Sequence, residues 1–180
     1  MKERPILFSA PMVRAILDGS KTQTRRVLKK STEFKGPYNP AYIEAHKKDT
    51  GWREICPYGK IRDRLWVRET WGIYSADGGT QSCTYCADYP KVHMGQKWTP
   101  SIYMPRWASR IDLEITDIRI ELLQDISRGD AMDEGCPFQN MAKGDDPRKW
   151  YADLWESING AGSWAANPWV WVVKFKRVRP

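Results

Sequence analysis

Two long alternating runs constrain this chain most. From Ile111 to Leu122, apolar Ile111, Leu113 and Ile115 interleave with Asp112, Glu114 and Thr116, and Trp169 to Val178 alternates as strongly. A period of two sends successive side chains to opposite faces, so both runs read as β-strands. The first is expected to bend near Asp117, and the second to close the chain on a basic tail.

Shorter signals fill in the rest. Pro5 to Phe8 reads as a short buried strand, followed by a helix with Ser9 as cap and Pro11 in its first turn. Met12, Ala15 and Ile16 recur at helical spacing towards Gly19. After a turn at 19–26, Val27 and Leu28 resume as strand. Leu65, Val67 and Glu69 share one face of a further strand, with Trp66, Arg68 and Thr70 on the other. Ser127 has Asp130 at capping-box spacing and opens a short helix ending at Gly135. Pro147 to Ile158 carries Trp150, Tyr151, Leu154, Trp155 and Ile158 on one helical stripe, read as core, and Asn159-Gly160 stops it. Helices and strands together make the expected class α+β.

Residues 29–62 are rich in Lys, Gly, Pro and Tyr without a sustained period, and 72–99 look equally irregular. At 180 residues the chain suits one domain, 1–180, with insertions at about 29–58 and 72–99. Its net charge of +7 points to nucleic acid or another polyanion. Residues 1–30 carry a net +6 and Lys174, Lys176, Arg177 and Arg179 a further +4, leaving −3 on the rest of the chain. Were the terminal segments neighbouring strands, they would build one basic face. Ten Trp and eight Tyr against four Phe favour half-wet aromatic positions such as the lips of a base-stacking groove. No stretch approaches the roughly 18 apolar residues of a membrane helix, and the N-terminus has no signal-like apolar segment, so the expectation is a cytoplasmic protein without a membrane partner.

Chemistry concentrates in Gly19 to Arg26, where Lys21, Arg25 and Arg26 lie among Ser20, Thr22 and Thr24. Arginine forks suit phosphate, a lysine crowded by cations loses basicity, and a threonine hydroxyl beside it is an anion ligand or an activated nucleophile. Glu69 is either an ion-paired strand-end carboxylate or a site acid, and Glu134 either a general acid/base or a solvated helix-end acid. Arg106 and Trp107 together can clamp a base and its phosphate, or form a surface cation–π pair. Cys83-x-x-Cys86 is half of a zinc site that His93, Cys56 or Cys136 would have to complete; otherwise it is a reduced pair. The threonine–lysine chemistry requires no cofactor.

Taken together, Gly19-x-Lys21-Thr22-x-Thr24-x-Arg26, Gly59-x-x-x-Asp63-x-Leu65-Trp66-Val67-Arg68-Glu69-Thr70, Ala131-x-x-Glu134-Gly135 and the closing strand from Trp169 resemble the ASCH family, whose fold is the PUA-like β-barrel. Met104-Pro105-Arg106-Trp107-Ala108-Ser109-Arg110 and Leu154 to Asn159 look like its phage and prophage branch. The resemblance implies a small barrel with flanking short helices and an RNA- or nucleotide-directed cleft. Small bacterial members include an amidohydrolase acting on N4-acetylcytidine through a lysine, a threonine and a glutamate, which fall on Lys21, Thr24 and Glu134. Other members are reported as ribonucleases. Thr22, Arg25, Arg26, Glu69, Arg106 and Trp107 would then bind RNA, single-stranded nucleic acid or a modified nucleoside. A non-enzymatic RNA- or DNA-binding module is the alternative.

Overall fold

The structure is a computed structural model that describes residues 1–29, 40–75, 81–89, 97–137 and 146–178. Five strands form one sheet: β1 (Glu3–Leu7), β2 (Gln23–Val27), β3 (Arg64–Arg68), β6 (Asp112–Leu122) and β7 (Trp169–Val178). Their order is β1-β3-β6-β7-β2, with β1 parallel to β3 and every other pair antiparallel. A separate hairpin pairs β4 (Trp71–Ser75) with β5 (Gln81–Tyr85). The described helices are α1 (Ala10–Asp18), α2 (Pro40–His46), α3 (Trp52–Ile55), α4 (Arg128–Asp133) and α5 (Pro147–Asn159). The class is α+β.

β7 lies inside the sheet and is buried on both faces. Trp169, Trp171, Val173 and Phe175 enter the larger core with Val13 and Ile16 of α1, and Val170 and Val172 enter a second core with Tyr151 and Trp155 of α5. Full burial of such side chains stabilises by about 1.5–3 kcal/mol each, which makes β7 the spine of the molecule. β6 pairs along it and shifts register between Ile115 and Asp117, the bend its alternation had suggested. The first and last strands share this sheet but are not neighbours, since β3 and β6 separate them. Lys174 and Lys176 pair with Asp133 and Glu114, so the basic face expected from adjacent termini is not built that way.

The sheet is open, which corrects the expected barrel. Edge strands β1 and β2 are joined by the Arg26 guanidinium, which donates to the Leu7 carbonyl at 2.7 Å, and not by a backbone ladder. α1, the connection between those strands, packs its own apolar side into the larger core.

Both segments expected to be irregular hold regular structure. Ile43 and Trp52, from α2 and α3, are 0% and 5% exposed and belong to the larger core with Cys56. A short helix that buries one or two residues leaves no sustained period to read. β4 and β5 carry Trp71 and Cys83 into a third, small cluster around Met104 and Ala108. Glu69 takes the first of its two readings. It is 1% exposed, and Arg110 donates to both its oxygens at 2.9 and 3.1 Å.

Candidate active site

α1 stops at Gly19, whose φ of +86° turns the chain back across the helix end. The Lys21 amide then donates to the Ala15 carbonyl at 2.9 Å, and the Thr22 amide to the Asp133 carbonyl at 2.8 Å. These bonds tie the turn to both α1 and the end of α4, and an isolated bridge pairs Lys21 with Glu134. α4 itself begins as its sequence indicates, with the Asp130 amide donating to the Ser127 hydroxyl at 3.0 Å. Gly135 sits at φ +94°, where a Cβ would come within 2.9 Å of Ala15 Cβ and 3.3 Å of Lys21 Cβ. Glycine is therefore what lets Glu134 approach Lys21 so closely.

Lys21 Nζ donates to Glu134 Oε2 at 2.7 Å and to the Glu134 carbonyl at 3.0 Å. Arg25 Nη1 donates to Glu134 Oε1 at 3.0 Å, while its Nε reaches Glu121 Oε1 at 3.1 Å. Arg119 extends the network, donating to Glu121 Oε2 at 3.0 Å and to Asp130 Oδ1 at 2.9 Å. The Lys21 and Arg25 side chains are 0% exposed and Glu134 only 2%. Charges this deep persist only when paired.

Burial pushes the Lys21 ammonium below its ordinary pKa; the Glu134 carboxylate opposes the shift, and Arg26 and Arg25 add to it. The lysine therefore releases its proton more readily than an exposed one would. Burial, together with the Glu134 carboxylate, drives the Tyr151 phenol well above its usual value, so it stays a neutral donor.

Thr24, Arg25, Arg26 and Glu134 line a small pocket with Tyr151 and Trp155. Its volume is about 60 Å³, room for one reacting group and not for a whole nucleoside. Lys21 supports Glu134 from outside the pocket wall.

The other expected site residues divide. Arg26 reaches the pocket and lies 5.3 Å from the Phe8 ring centroid. Thr22 holds the turn through its backbone, its carbonyl accepting from the Phe175 amide at 2.8 Å. Glu69 is committed to Arg110 and lines no part of this pocket. Arg106 pairs with Glu3 and Asp112, at the starts of β1 and β6, and Trp107 stands edge-on to Trp71 at 5.5 Å. That pair therefore belongs to a different part of the surface, because ion pairing holds Arg106 away from β2.

Among the described residues no group of three or more His, Cys, Asp or Glu is placed to hold a metal. Cys83 packs against the Trp71 cluster, while Cys56 lies in the larger core with its thiol pushed up to about 11 by burial. His93 lies outside the described residues.

Sequence reasoning missed Tyr151, Glu121, Arg119 and Asp130. Tyr151 was visible as part of an apolar stripe, and the stripe proves to serve both core and pocket, since Leu154 and Ile158 also line the latter. Asp130 was visible only as a capping-box residue, and Glu121 and Arg119 carried no local signal.

Comparison with protein-family models, curated proteins and solved structures finds no match for this chain.

The network also predicts an acid response. Burial pushes the Asp130 carboxyl up, but the Ser127 hydroxyl, Arg119 and Arg25 outweigh it and hold the group at about 2, below its ordinary 3.8. A depressed carboxyl stabilises the fold above the unfolded pKa and loses that contribution as pH falls through the folded one. Allowing for solvent screening, about 1 kcal/mol should vanish between about pH 4 and 2. Melting temperatures over that range should fall more steeply for the wild type than for Asp130→Asn, and parallel curves would refute the assignment.

Proposed function

We propose that this chain is an ASCH-type, nucleotide-directed hydrolase that cleaves an N4-acylated cytidine, with Thr24 as nucleophile and the Lys21–Glu134 pair as proton carrier. One observation carries the reading: Thr24 and Glu134 line the same buried pocket, and Glu134 is bonded to a lysine whose basicity burial has lowered. In this reaction Thr24 Oγ1 attacks the acyl carbon while its proton passes to the Glu134–Lys21 pair. The C–N bond breaks, the carried proton goes to the departing amine nitrogen, and the acyl group remains as an ester on Thr24. Water then attacks the ester, releasing the carboxylic acid and restoring the hydroxyl. Arg25 keeps Glu134 in place, and the Tyr151 phenol is the nearby neutral donor for the developing oxyanion.

A binding module without catalysis draws support from a different observation. Trp107 and Tyr103 are 69% and 68% exposed, as base-stacking side chains would be. Incubation of purified protein with N4-acetylcytidine separates the two readings. Release of cytidine and acetate supports the hydrolase, whereas nucleoside or RNA binding without turnover leaves the binding module.

A further inference from the structure

The 60 Å³ pocket does not stand alone. A second compartment of about 390 Å³ adjoins it and shares Arg26, Val27 and Asn159 as common wall. Its other walls include Lys29, Tyr58 and Trp171. This volume falls within the roughly 300–1,000 Å³ of small-molecule sites, which the inner pocket does not.

Its chemistry is one-sided. Among the described residues the lining holds two cations, Arg26 and Lys29, and no carboxylate. The cleft beside α3 is of similar size, about 450 Å³, but sets Asp49, Asp117, Glu121 and Asp125 against Lys47, Lys48, Arg53 and Arg119. Charges balanced in that way attract no particular ion, whereas an uncompensated cation pair beside an aromatic wall favours an anion with a flat body. Tyr58 is half-buried, and burial raises its phenol against the opposing pull of Arg26, so it remains a neutral stacking and donor surface. The strand fixes both cations. Arg26 is paired opposite Trp171, and the Leu28 amide donates to the Trp169 carbonyl at 2.8 Å, which anchors the backbone immediately before Lys29.

We infer that this outer compartment is the subsite for the body of the ligand, and that it selects a nucleoside monophosphate unit over an uncharged nucleoside. The inference rests on the proposed nucleotide-directed reading and adds its substrate class. The base enters between Tyr58 and the β2 edge with its acylated amine towards Thr24, and the phosphate lies at Lys29. Tyr58, Ile55 and Pro57, from the segment that follows β2, supply the wall against which the base lies.

The test is calorimetric titration of the full chain with cytidine, cytidine monophosphate and a short single-stranded RNA, in low salt and with turnover measured separately. Cytidine monophosphate should bind about tenfold more tightly than cytidine. Lys29→Ala should bring the two within about twofold and leave cytidine itself unchanged, while Lys29→Arg should keep the preference. Lys29 is exposed, so its variants should fold as the wild type does. A Lys29-dependent gain shared by the RNA assigns the phosphate to a polynucleotide; a gain confined to the monophosphate assigns it to a free nucleotide. Both support the subsite. Equal affinity for cytidine and its monophosphate, an unchanged ratio in Lys29→Ala, or no binding of either would overturn it. A Lys29-dependent preference without turnover would remove the hydrolase and leave the subsite standing. Turnover without any phosphate preference would do the reverse.

Discussion

Replacing Glu134 with alanine is expected to destabilise the protein by about 3–5 kcal/mol, a large share of the roughly 5–15 kcal/mol typical of a domain. The carboxylate satisfies Lys21 Nζ at 2.7 Å and Arg25 Nη1 at 3.0 Å, and both cationic side chains are wholly buried. Its removal leaves an ammonium with only the Glu134 carbonyl, and a guanidinium that must rely on Glu121 and Asp130. The cost comes from the unpaired charge and not from lost attraction alone. Lys21→Met in the same chain should therefore recover much of the loss, giving a coupling that urea unfolding of the four proteins would measure. A Glu134→Ala protein within 1 kcal/mol of the wild type would mean that the network is not what holds α4 to the turn. This cost also changes how an inactive Glu134→Ala protein should be read, because loss of folding and loss of chemistry would coincide.

Thr24→Ala is the cleaner probe of chemistry. Thr24 is 2% exposed and none of the ion pairs depends on it, so truncation should cost only about 1 kcal/mol of stability. If its hydroxyl is the nucleophile, turnover of N4-acetylcytidine should fall by roughly a thousandfold or more, with ligand binding retained. Thr24→Ser keeps the hydroxyl and should retain measurable activity. Lys21→Met should also be nearly inactive, and adding it to Thr24→Ala should cause little further loss, since groups acting on one proton transfer are not additive. Retention of more than a tenth of wild-type turnover by Thr24→Ala would rule the threonine out as nucleophile.

Where an element declares itself through its own periodicity or caps, the chain alone was sufficient. The alternation of Ile111 to Leu122 and of Trp169 to Val178 corresponds to β6 and β7, even to the irregularity beside Asp117. Ser127 with Asp130, and Asn159 with Gly160, mark helix ends that lie where their capping chemistry requires. These are interactions between residues a few positions apart, so the information is local. Lys21, Thr24 and Glu134 were also legible as candidates, through their residue types and motif spacing.

What only the tertiary structure decided are the partners. Residues 19–26 read as a turn, yet Gln23 to Arg26 form an edge strand on β7 with Gln23, Thr24 and Arg25 at 0%, 2% and 3% exposure. Burying such residues is prohibitive unless counter-charges arrive, and Glu121 and Glu134 arrive from about a hundred positions away. Glu69 likewise became a structural ion pair only because Arg110 folds back onto it. The openness of the sheet and the two pockets that share Arg26, Val27 and Asn159 belong to the same category. Each depends on how far apart the fold sets two distant segments, and no periodicity within either one encodes that distance.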